Sequence, residues 1–385
     1  MGRRLFGRPF FICVVSAVAP SQRAAIKCSA TLHVGHHHRK PTTSHRMRLG
    51  KKQMEQETGF VGLRDVADAR IAGLIGLLCG DALGVGFEFK KPEQIRSREQ
   101  IEMTTAVGFR RSHAGVPVGT WSDDGAQALC LFDSLLLCGR FKLTDFASRL
   151  LRWLDDGYFA VDGDVFDVGI QTADALGRLR DGIPPRESGG ASVMDNGNGS
   201  LMRVLPLALW HTGTDDALVR DAHLQSMPTH AHPRSLVACA FYCLVARGYL
   251  GNLADPWSSA DQRLEEIYAV WSDQPTQKAL LVELDVLRRF PKTDQPRGTG
   301  YVLDTIWSAR QAMEEGSFED VIRTAISFGH DTDTTAAVAG GLAGIRFGLA
   351  GIPISWLQQL RGYDLVEPLI SLIAADNKAN TAHGT

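Results

Sequence analysis

Long apolar runs and cysteines are both scarce in this sequence. No segment reaches the roughly 18–20 uninterrupted apolar residues that a membrane-spanning helix requires, so we expect no contact with a membrane. Only 7 of the 385 residues are cysteine, an odd number. Because most of them fall in apolar helical patterns, we predict small buried hydrophobes rather than a disulfide framework. These residues are Cys79, Cys130, Cys138, Cys239 and Cys243. Such usage favours a reducing compartment, and we expect a cytoplasmic protein.

Acidic residues are absent from the first 54 positions, which contain eleven Lys or Arg. A ten-residue apolar run follows Arg8 in this segment. The pattern is compatible with a secretory signal, with an organellar transit peptide, or with a leader that precedes a start at Met47 or Met54. We predict that residues 1–58 are a basic, disordered leader or a targeting segment, so organellar targeting stays open.

The remainder of the chain has an excess of acids. Residues 55–385 carry 30 basic and 43 acidic side chains, a net charge of about −13. A body with this charge is poorly suited to neutralising phosphates, so we expect no nucleic-acid partner. We also expect a monomer.

Alternating strand patterns with hairpin dipeptides are missing, whereas a helical period runs through nearly all of the chain after residue 60. The sequence predicts an all-α fold of about a dozen helices in a single domain over residues 59–377, followed by a tail over 378–385. Predicted helices include 124–139, 144–155, 167–180, 200–211, 215–226, 233–249, 261–271, 277–289, 300–315, 318–327, 334–349 and 353–375. Thr144, Asp215 and Ser317 are predicted to cap three of them. The long polar loop 181–200 is expected to carry function.

Four acidic clusters lie at predicted junctions between loops and helices. They contain Asp81 and Glu88 in GDALGVGFEF, Ser122-Asp123-Asp124, Asp167, and Asp331-Thr332-Asp333-Thr334. Each cluster alone is explained by helix capping, in which a side chain accepts from a free backbone N–H and the acid complements the helix dipole. Capping needs one acid per helix, however, and acid pairs occur here twice.

Paired carboxylates need a counter-charge, and no basic residue occurs between Thr334 and Arg346. Carboxylates and hydroxyls are hard oxygen ligands that suit Mg²⁺ or Mn²⁺ better than zinc, and a two-metal site uses several of them. An EF-hand beginning at Asp331 would need glycine and glutamate where Ala336 and Leu342 stand. A D-x-D-x-T phosphatase motif belongs after a buried strand, which an all-helical chain does not offer.

A small-residue segment directly follows the last acidic pair. Its alanines and glycines allow neighbouring backbones to approach closely, either to gather helix ends around one site or simply to pack a core. They are Ala336, Ala339, Gly340, Ala343 and Gly344.

Six motifs in order resemble the ADP-ribosylglycohydrolase family, which includes dinitrogenase-reductase-activating glycohydrolases and ADP-ribosylarginine hydrolases. They are GDALGVGFEF, GTWSDDGAQ, FDVGIQT, NGSLMRVLPL, THAHPRS and GHDTDTTAAVAGGLAG, spanning about residues 70–350. The resemblance implies an all-α fold whose cleft holds two Mg²⁺ or Mn²⁺ ions.

The resemblance also implies roles for individual residues. The metal ligands would be Ser122, Asp123, Asp124, Asp331, Asp333 and Thr334. Asp167 or Glu88 would be the catalytic acid/base, with Glu88 also gating the substrate. Substrate-binding residues would be Asn198, Gly199, Ser200, Met202, Arg203, His230 and His330. Two positions depart from the family pattern, because Ser122 replaces a more usual threonine and His330 stands where a small or amide residue is commoner.

The implied reaction is hydrolysis of the bond between ribose C1 and a protein side chain, which reverses ADP-ribosylation. An arginine linkage is favoured because Asp167 matches the arginine-linked branch. The substrate would be an ADP-ribosylated protein or a small ADP-ribosyl molecule. The alternative is a non-catalytic protein of the same fold that binds ADP-ribose, resembles a crystallin or confers immunity to a toxin.

Overall fold

The computed structural model describes residues 59–63, 68–95, 97–271, 275–293 and 295–382. Within these ranges the regular structure is helical, and the only β pairing is two isolated bridges, Gly190 with His230 and Gly197 with Tyr301. The predicted all-α class is therefore confirmed. No helix in the described ranges is both long and apolar enough to cross a membrane. The predicted leader, residues 1–58, lies outside the described residues.

Besides a short helical stretch at residues 59–62, fourteen α-helices make up the described domain. They are α1 Ala69–Gly84, α2 Asp123–Cys138, α3 Leu143–Asp156, α4 Ile170–Arg180, α5 Leu205–Trp210, α6 Asp215–Ser226, α7 Pro233–Leu250, α8 Pro256–Trp271, α9 Pro275–Thr293, α10 Val302–Ala312, α11 Phe318–Ser327, α12 Thr332–Phe347, α13 Ile354–Gln359 and α14 Tyr363–Ala382. Helix α14 continues past residue 377, and the boundary predicted there stays a prediction.

Helices α1 and α12 form the centre of the fold, with their backbones in direct contact. A Cβ atom on Gly80 would lie 2.1 Å from the carbonyl oxygen of Ala336, and one on Gly344 would lie 2.1 Å from that of Ala72. No side chain fits at either position, so the small residues predicted to permit close approach do so here. Because the two helices run in opposite directions, the end of α1 lies beside the start of α12.

Helix α2 is attached to the end of α1 by a buried carboxylate. Asp81 of α1 accepts hydrogen bonds from the backbone N–H of Ser122 at 2.9 Å and from that of Gly125 at 2.8 Å. These N–H groups belong to the first turn of α2, where helical partners are lacking. Asp81 therefore brings the start of α2 to the place where α1 and α12 meet.

Several predicted helix ends are corrected by the structure. Ser317 caps α11 as predicted, since its hydroxyl accepts from the backbone N–H of Asp320. The N-caps of α3 and α6 are Lys142 and Thr214, so the caps predicted at Thr144 and Asp215 were wrong by one or two positions.

Two larger corrections concern whole segments. The helix predicted over 167–180 begins only at Ile170, which leaves Asp167 in the preceding loop. The helix predicted over 353–375 is divided into α13 and α14. The break contains Gly362 at φ +77°, where a Cβ would lie 2.3 Å from Cη2 of Trp121.

The five cysteines predicted to be buried hydrophobes are all free thiols. Four are buried and Cys138 is half-buried. The predicted burial is confirmed for Cys79, Cys130, Cys239 and Cys243, whereas Cys138, near the end of α2, is only partly covered.

Candidate active site

The acidic clusters of the sequence converge where α1, α2 and α12 meet. The hydroxyl of Thr334, in the first turn of α12, lies 3.2 Å from Oδ2 of Asp124 in the first turn of α2. Carboxylate oxygens of Glu88, Asp331 and Asp333 lie within 4.8 Å of one another. An oxygen of Glu88 is equally close to one of Asp167. Segments separated by more than two hundred residues thus form one acidic site.

Helix-start geometry aims the carboxylates of α2 and α12 at this site. Ser122 is the N-cap of α2, and its Oγ accepts from the backbone N–H of Asp124 at 3.3 Å. Asp331 occupies the N-cap position of α12 without a side-chain capping bond. Capping therefore accounts for Ser122 but not for Asp331. Both helix N-termini direct their positive ends here, which favours negative charge.

Burial and mutual repulsion raise the pKa values of these acids. The pKa of Asp123, of Asp124 and of Asp333 lies well above its ordinary value, first because burial penalises the charge and then because neighbouring carboxylates repel it. Burial also raises the pKa of Asp81 to about 7, although the hydrogen bonds from Ser122 and Gly125 oppose that shift. Without a cation, burial and mutual repulsion therefore favour the protonated forms of these acids.

The donor set fits a hard divalent cation. Two buried carboxylate oxygens, Oδ1 of Asp124 and Oδ2 of Asp333, have no hydrogen-bond partner among the described residues. A buried oxygen without a partner is costly, and coordination to a cation removes that cost. Carboxylates with two hydroxyls are ligands for Mg²⁺ or Mn²⁺. The acidic cluster can therefore bind metal.

Glu88 is held by a histidine that the sequence did not single out. Nε2 of His113 lies 2.6 Å from Oε2 of Glu88, and the imidazole also contacts the rings of Phe89 and Phe166. Burial raises the pKa of Glu88 well above its ordinary value and lowers that of His113. The segment around His113 follows no helical period and contains no acid, so no sequence signal pointed to it.

Asp167 reaches the site from a strained loop. Its backbone is in the left-handed region at φ +55°, which is uncommon for a residue other than glycine. Burial and repulsion from Asp331 raise the pKa of its carboxyl to about 6, whereas hydrogen bonding with Asp333 and Glu88 lowers it. The structure thus places the predicted acid/base beside the predicted metal ligands.

Two of the predicted substrate residues border the acidic cluster. Nδ2 of Asn198 donates to Oδ2 of Asp331 at 2.9 Å, so the loop carrying Asn198 is joined to the start of α12. His330 has φ +61° and pairs through its backbone with Phe89 and Lys90 at 2.6 Å each. This pairing connects the turn that carries Glu88 to α12.

The remaining predicted substrate residues lie in or near the loop that carries Asn198. A Cβ on Gly199 would lie 2.9 Å from Cε1 of buried His230. The hydroxyl oxygens of Ser200 and Ser226 lie 2.8 Å apart, and Met202 is buried. Arg203 is fully buried and donates hydrogen bonds to Gln127, Gln225 and Thr229. Substrate contact by Ser200, Met202 and Arg203 stays a prediction.

A profile of the ADP-ribosylglycohydrolase family matches residues 64–382. The chain belongs to this family. It is 32% identical over 296 residues to the ADP-ribosylarginine hydrolase Tri1 of Pseudomonas putida, covering 76% of this chain and 74% of that protein. It is 26% identical over 298 residues to the ADP-ribosyl-[dinitrogen reductase] glycohydrolase of Rhodospirillum rubrum, covering 77% and 91%.

A solved structure shares the fold of this ADP-ribosylglycohydrolase family member. One chain of an ADP-ribosylglycohydrolase-related protein complex superposes with a TM-score of 0.58 at 30% identity, covering 78% of this chain and 95% of that one. The resemblance stated from six motifs is thereby confirmed. Family membership makes the chain a hydrolase of ADP-ribosyl linkages, in a family typified by metal dependence.

Proposed function

We propose that this enzyme hydrolyses the N-glycosidic bond between ADP-ribose and arginine side chains of proteins, with two Mg²⁺ or Mn²⁺ ions at the acidic cluster. The observation that carries the proposal is the convergence of acids from α2 and α12 with two buried carboxylate oxygens left without partners. Two relatives at 32% and 30% identity are named ADP-ribosylarginine hydrolases, which supports arginine as the linked residue.

The residues that would hold the ions are those at the starts of α2 and α12. They are Ser122, Asp123, Asp124, Asp331, Asp333 and Thr334. Bound divalent cations would supply Lewis-acid polarisation and a fixed grip on the vicinal ribose hydroxyls. Separating the ligands onto two helix N-termini keeps them rigid, because each backbone is fixed by its own helix.

Asp167 is the proposed acid/base. Hydrolysis breaks the bond between ribose C1 and the guanidine nitrogen, the water oxygen becomes the C1 hydroxyl, and the nitrogen gains a proton. A carboxyl with a pKa of about 6 exchanges protons readily near neutral pH, which is what this step needs. Glu88 is the alternative acid/base, and its bond to His113 holds it at the edge of the cluster.

The test measures release of free ADP-ribose from arginine-linked and serine-linked ADP-ribosyl peptides, with Mg²⁺ or with chelator. We expect release from the arginine-linked peptide, its loss with chelator, and its loss in Asp333→Asn. Asp174→Asn is the matched control, since Asp174 is an exposed aspartate of α4 and its loss should change nothing. Binding of ADP-ribose without any release would instead favour the non-catalytic alternative.

Location and assembly complete the proposal. We propose a monomer that acts in the cytoplasm on ADP-ribosylated proteins, without nucleic-acid or membrane partners. The cysteine usage and the net acidic body support this view. Size-exclusion chromatography with light scattering and fractionation of the cells that express the protein test the two parts separately.

A further inference from the structure

A buried row of hydrogen bonds leads from the acidic cluster to the glycine-containing loop 197–199. Gln127 donates to Oδ2 of Asp123 at 3.0 Å and accepts from Arg203 at 2.8 Å. Arg203 also donates to the hydroxyl oxygen of Thr229 at 2.8 Å, and that oxygen lies 2.8 Å from Nδ1 of His230. All five side chains are buried. We call Asp123, Gln127, Arg203, Thr229 and His230 the relay.

The guanidinium fixes the direction of every bond in the relay. Arginine only donates, so the oxygen of the Gln127 amide must face Arg203. The amide nitrogen of Gln127 is then left to face Asp123, whose Oδ2 accepts its hydrogen bond. Arg203 is itself held by two bonds to Gln225, at 3.3 and 3.0 Å, so it cannot turn away.

The same rule decides where the proton of the Thr229 hydroxyl goes. Its oxygen accepts from Arg203, which has no lone pair to receive a proton in return. The other described partner of this oxygen is Nδ1 of His230, so the hydroxyl proton points to Nδ1. Nδ1 is then the acceptor, and a neutral imidazole in that state carries its proton on Nε2.

Nε2 of His230 faces the loop that borders the acidic cluster. A Cβ on Gly197 would lie 3.3 Å from this nitrogen, and one on Gly199 would lie 2.9 Å from Cε1, so only glycine leaves the ring edge uncovered. No described residue forms a hydrogen bond with Nε2. Burial and the charge of Arg203 lower the pKa of His230 to about 3, which keeps the ring neutral at physiological pH.

We infer that Arg203 and Thr229 are positioning residues that fix His230 as its Nε2–H tautomer, so that His230 donates a hydrogen bond to an oxygen of the ADP-ribosyl group. Arg203 acts on His230 through Thr229 and on Asp123 through Gln127. The buried guanidinium of Arg203 thereby positions both Asp123, in the acidic cluster, and His230, beside the loop 197–199. This inference rests on the proposed function for the identity of the ligand, but the tautomer does not depend on it.

The first experiment reads the tautomer directly. Long-range ¹H–¹⁵N correlation spectra of the full chain labelled with ¹⁵N-histidine, assigned with His230→Asn, should show His230 neutral and protonated on Nε2 at pH 7 without substrate. A ring protonated on Nδ1, or on both nitrogens, would overturn the inference. This result is independent of catalysis, so an inactive protein with the expected tautomer would refute the proposed function alone.

The second experiment removes the hydroxyl. Thr229→Val keeps the shape of the side chain, and calorimetric binding of ADP-ribose with Mg²⁺ should weaken about tenfold, as for the loss of one hydrogen bond. Thr229→Ser restores the hydroxyl and should restore both affinity and tautomer. Wild-type affinity and tautomer in folded Thr229→Val would contradict the assignment. Should that variant not fold, the wild-type spectrum still decides.

A second buried histidine provides the matched control. Nε2 of His223 lies 2.8 Å from the hydroxyl of Tyr268, in a buried pair between α6 and α8. Tyr268→Phe removes that hydroxyl as Thr229→Val removes the other. It should lower stability without changing the affinity for ADP-ribose, which separates a positioning effect from a general loss of buried hydrogen bonding.

Discussion

Ser122 combines two roles that both need a hydroxyl. Its Oγ caps α2 by accepting from the backbone N–H of Asp124, and the same oxygen lies 3.3 Å from Oδ2 of that residue. Threonine, the more usual residue in the family, offers the same hydroxyl with an added methyl. The departure seen in the sequence therefore keeps the chemistry.

At this position we predict that Ser122→Ala lowers the free energy of unfolding by about 1 kcal/mol, the usual cost of a lost cap, and also weakens Mg²⁺ binding. Urea unfolding and calorimetric titration with Mg²⁺ measure the two effects. Ser122→Thr is the control and should retain both properties. Unchanged Mg²⁺ affinity in the alanine variant would show that Ser122 is a cap and not a ligand.

At the scale of elements, contact between α1 and α12 decides where the acids meet. The interface has no space for a Cβ at Gly80 or at Gly84. A Cβ on Gly84 would lie 2.4 Å from Cα of Asp333. Backbone atoms cannot move aside as a flexible side chain can. Any added volume therefore separates the end of α1, which carries Asp81, from the start of α12.

We predict that Gly80→Ala destabilises the protein by about 1–3 kcal/mol, the range for overpacking a core, and lowers turnover with it. Gly177→Ala is the control, since Gly177 lies inside α4 with nothing within 4 Å of an added Cβ. Alanine should be neutral or stabilising there, by up to about 1 kcal/mol. Thermal unfolding and ADP-ribose release measure the pair. Equal stability and equal turnover of the two variants would contradict a backbone contact between α1 and α12 that excludes a side chain.

For the whole molecule, the acidic cluster opposes folding when no cation is bound. Asp123, Asp124 and Asp333 have folded-state pKa values above their unfolded ones, so the folded state binds more protons. The stability linked to these groups is therefore present at low pH and is lost as the pH rises through the folded pKa values. Buried His223 and His230, with pKa values of about 3, act in the opposite direction, but only below about pH 6.5.

Burial raises the folded pKa of Asp81, in the same cluster, to about 7. We therefore predict that the metal-free protein loses stability between pH 6.5 and 8, around that pKa, by roughly 1.4 kcal/mol per pH unit for each proton released. Mg²⁺ replaces those protons, so its stabilising effect should grow over the same range. Melting temperatures with chelator and with Mg²⁺ at several pH values measure this. Asp333→Asn should flatten the metal-free slope. A stabilisation by Mg²⁺ that does not change with pH would contradict the linkage.

The extent of the folded unit gives a second prediction at this scale. Phe60 is buried and packs edge-on against Tyr363 with ring centroids 5.0 Å apart, so Phe60 is the earliest described residue of the core. We predict that a chain lacking residues 1–58 keeps its melting temperature and its turnover. Loss of hydrolysis on removal of this segment would show that the predicted leader takes part in the function.

The sequence by itself determined the helical class and the membership of the family. Helical periodicity is a local property, and the six motifs are local strings, so both can be read without a structure. The pairing of acids also indicated a cation, because two adjacent carboxylates without a base need a counter-charge whatever the fold. The roles of the individual site residues were implied by the family resemblance. The structure brings the acidic residues of that set together.

Only the tertiary structure decided which side chains meet and which way they turn. Thr334 and Asp124 are 210 positions apart, and nothing local specifies their 3.2 Å contact. His113 holds Glu88 from a segment without a pattern, and Arg203 turns into the core although its motif suggested the substrate. Side-chain direction depends on packing between distant segments, which is why local sequence could name these residues but not place them.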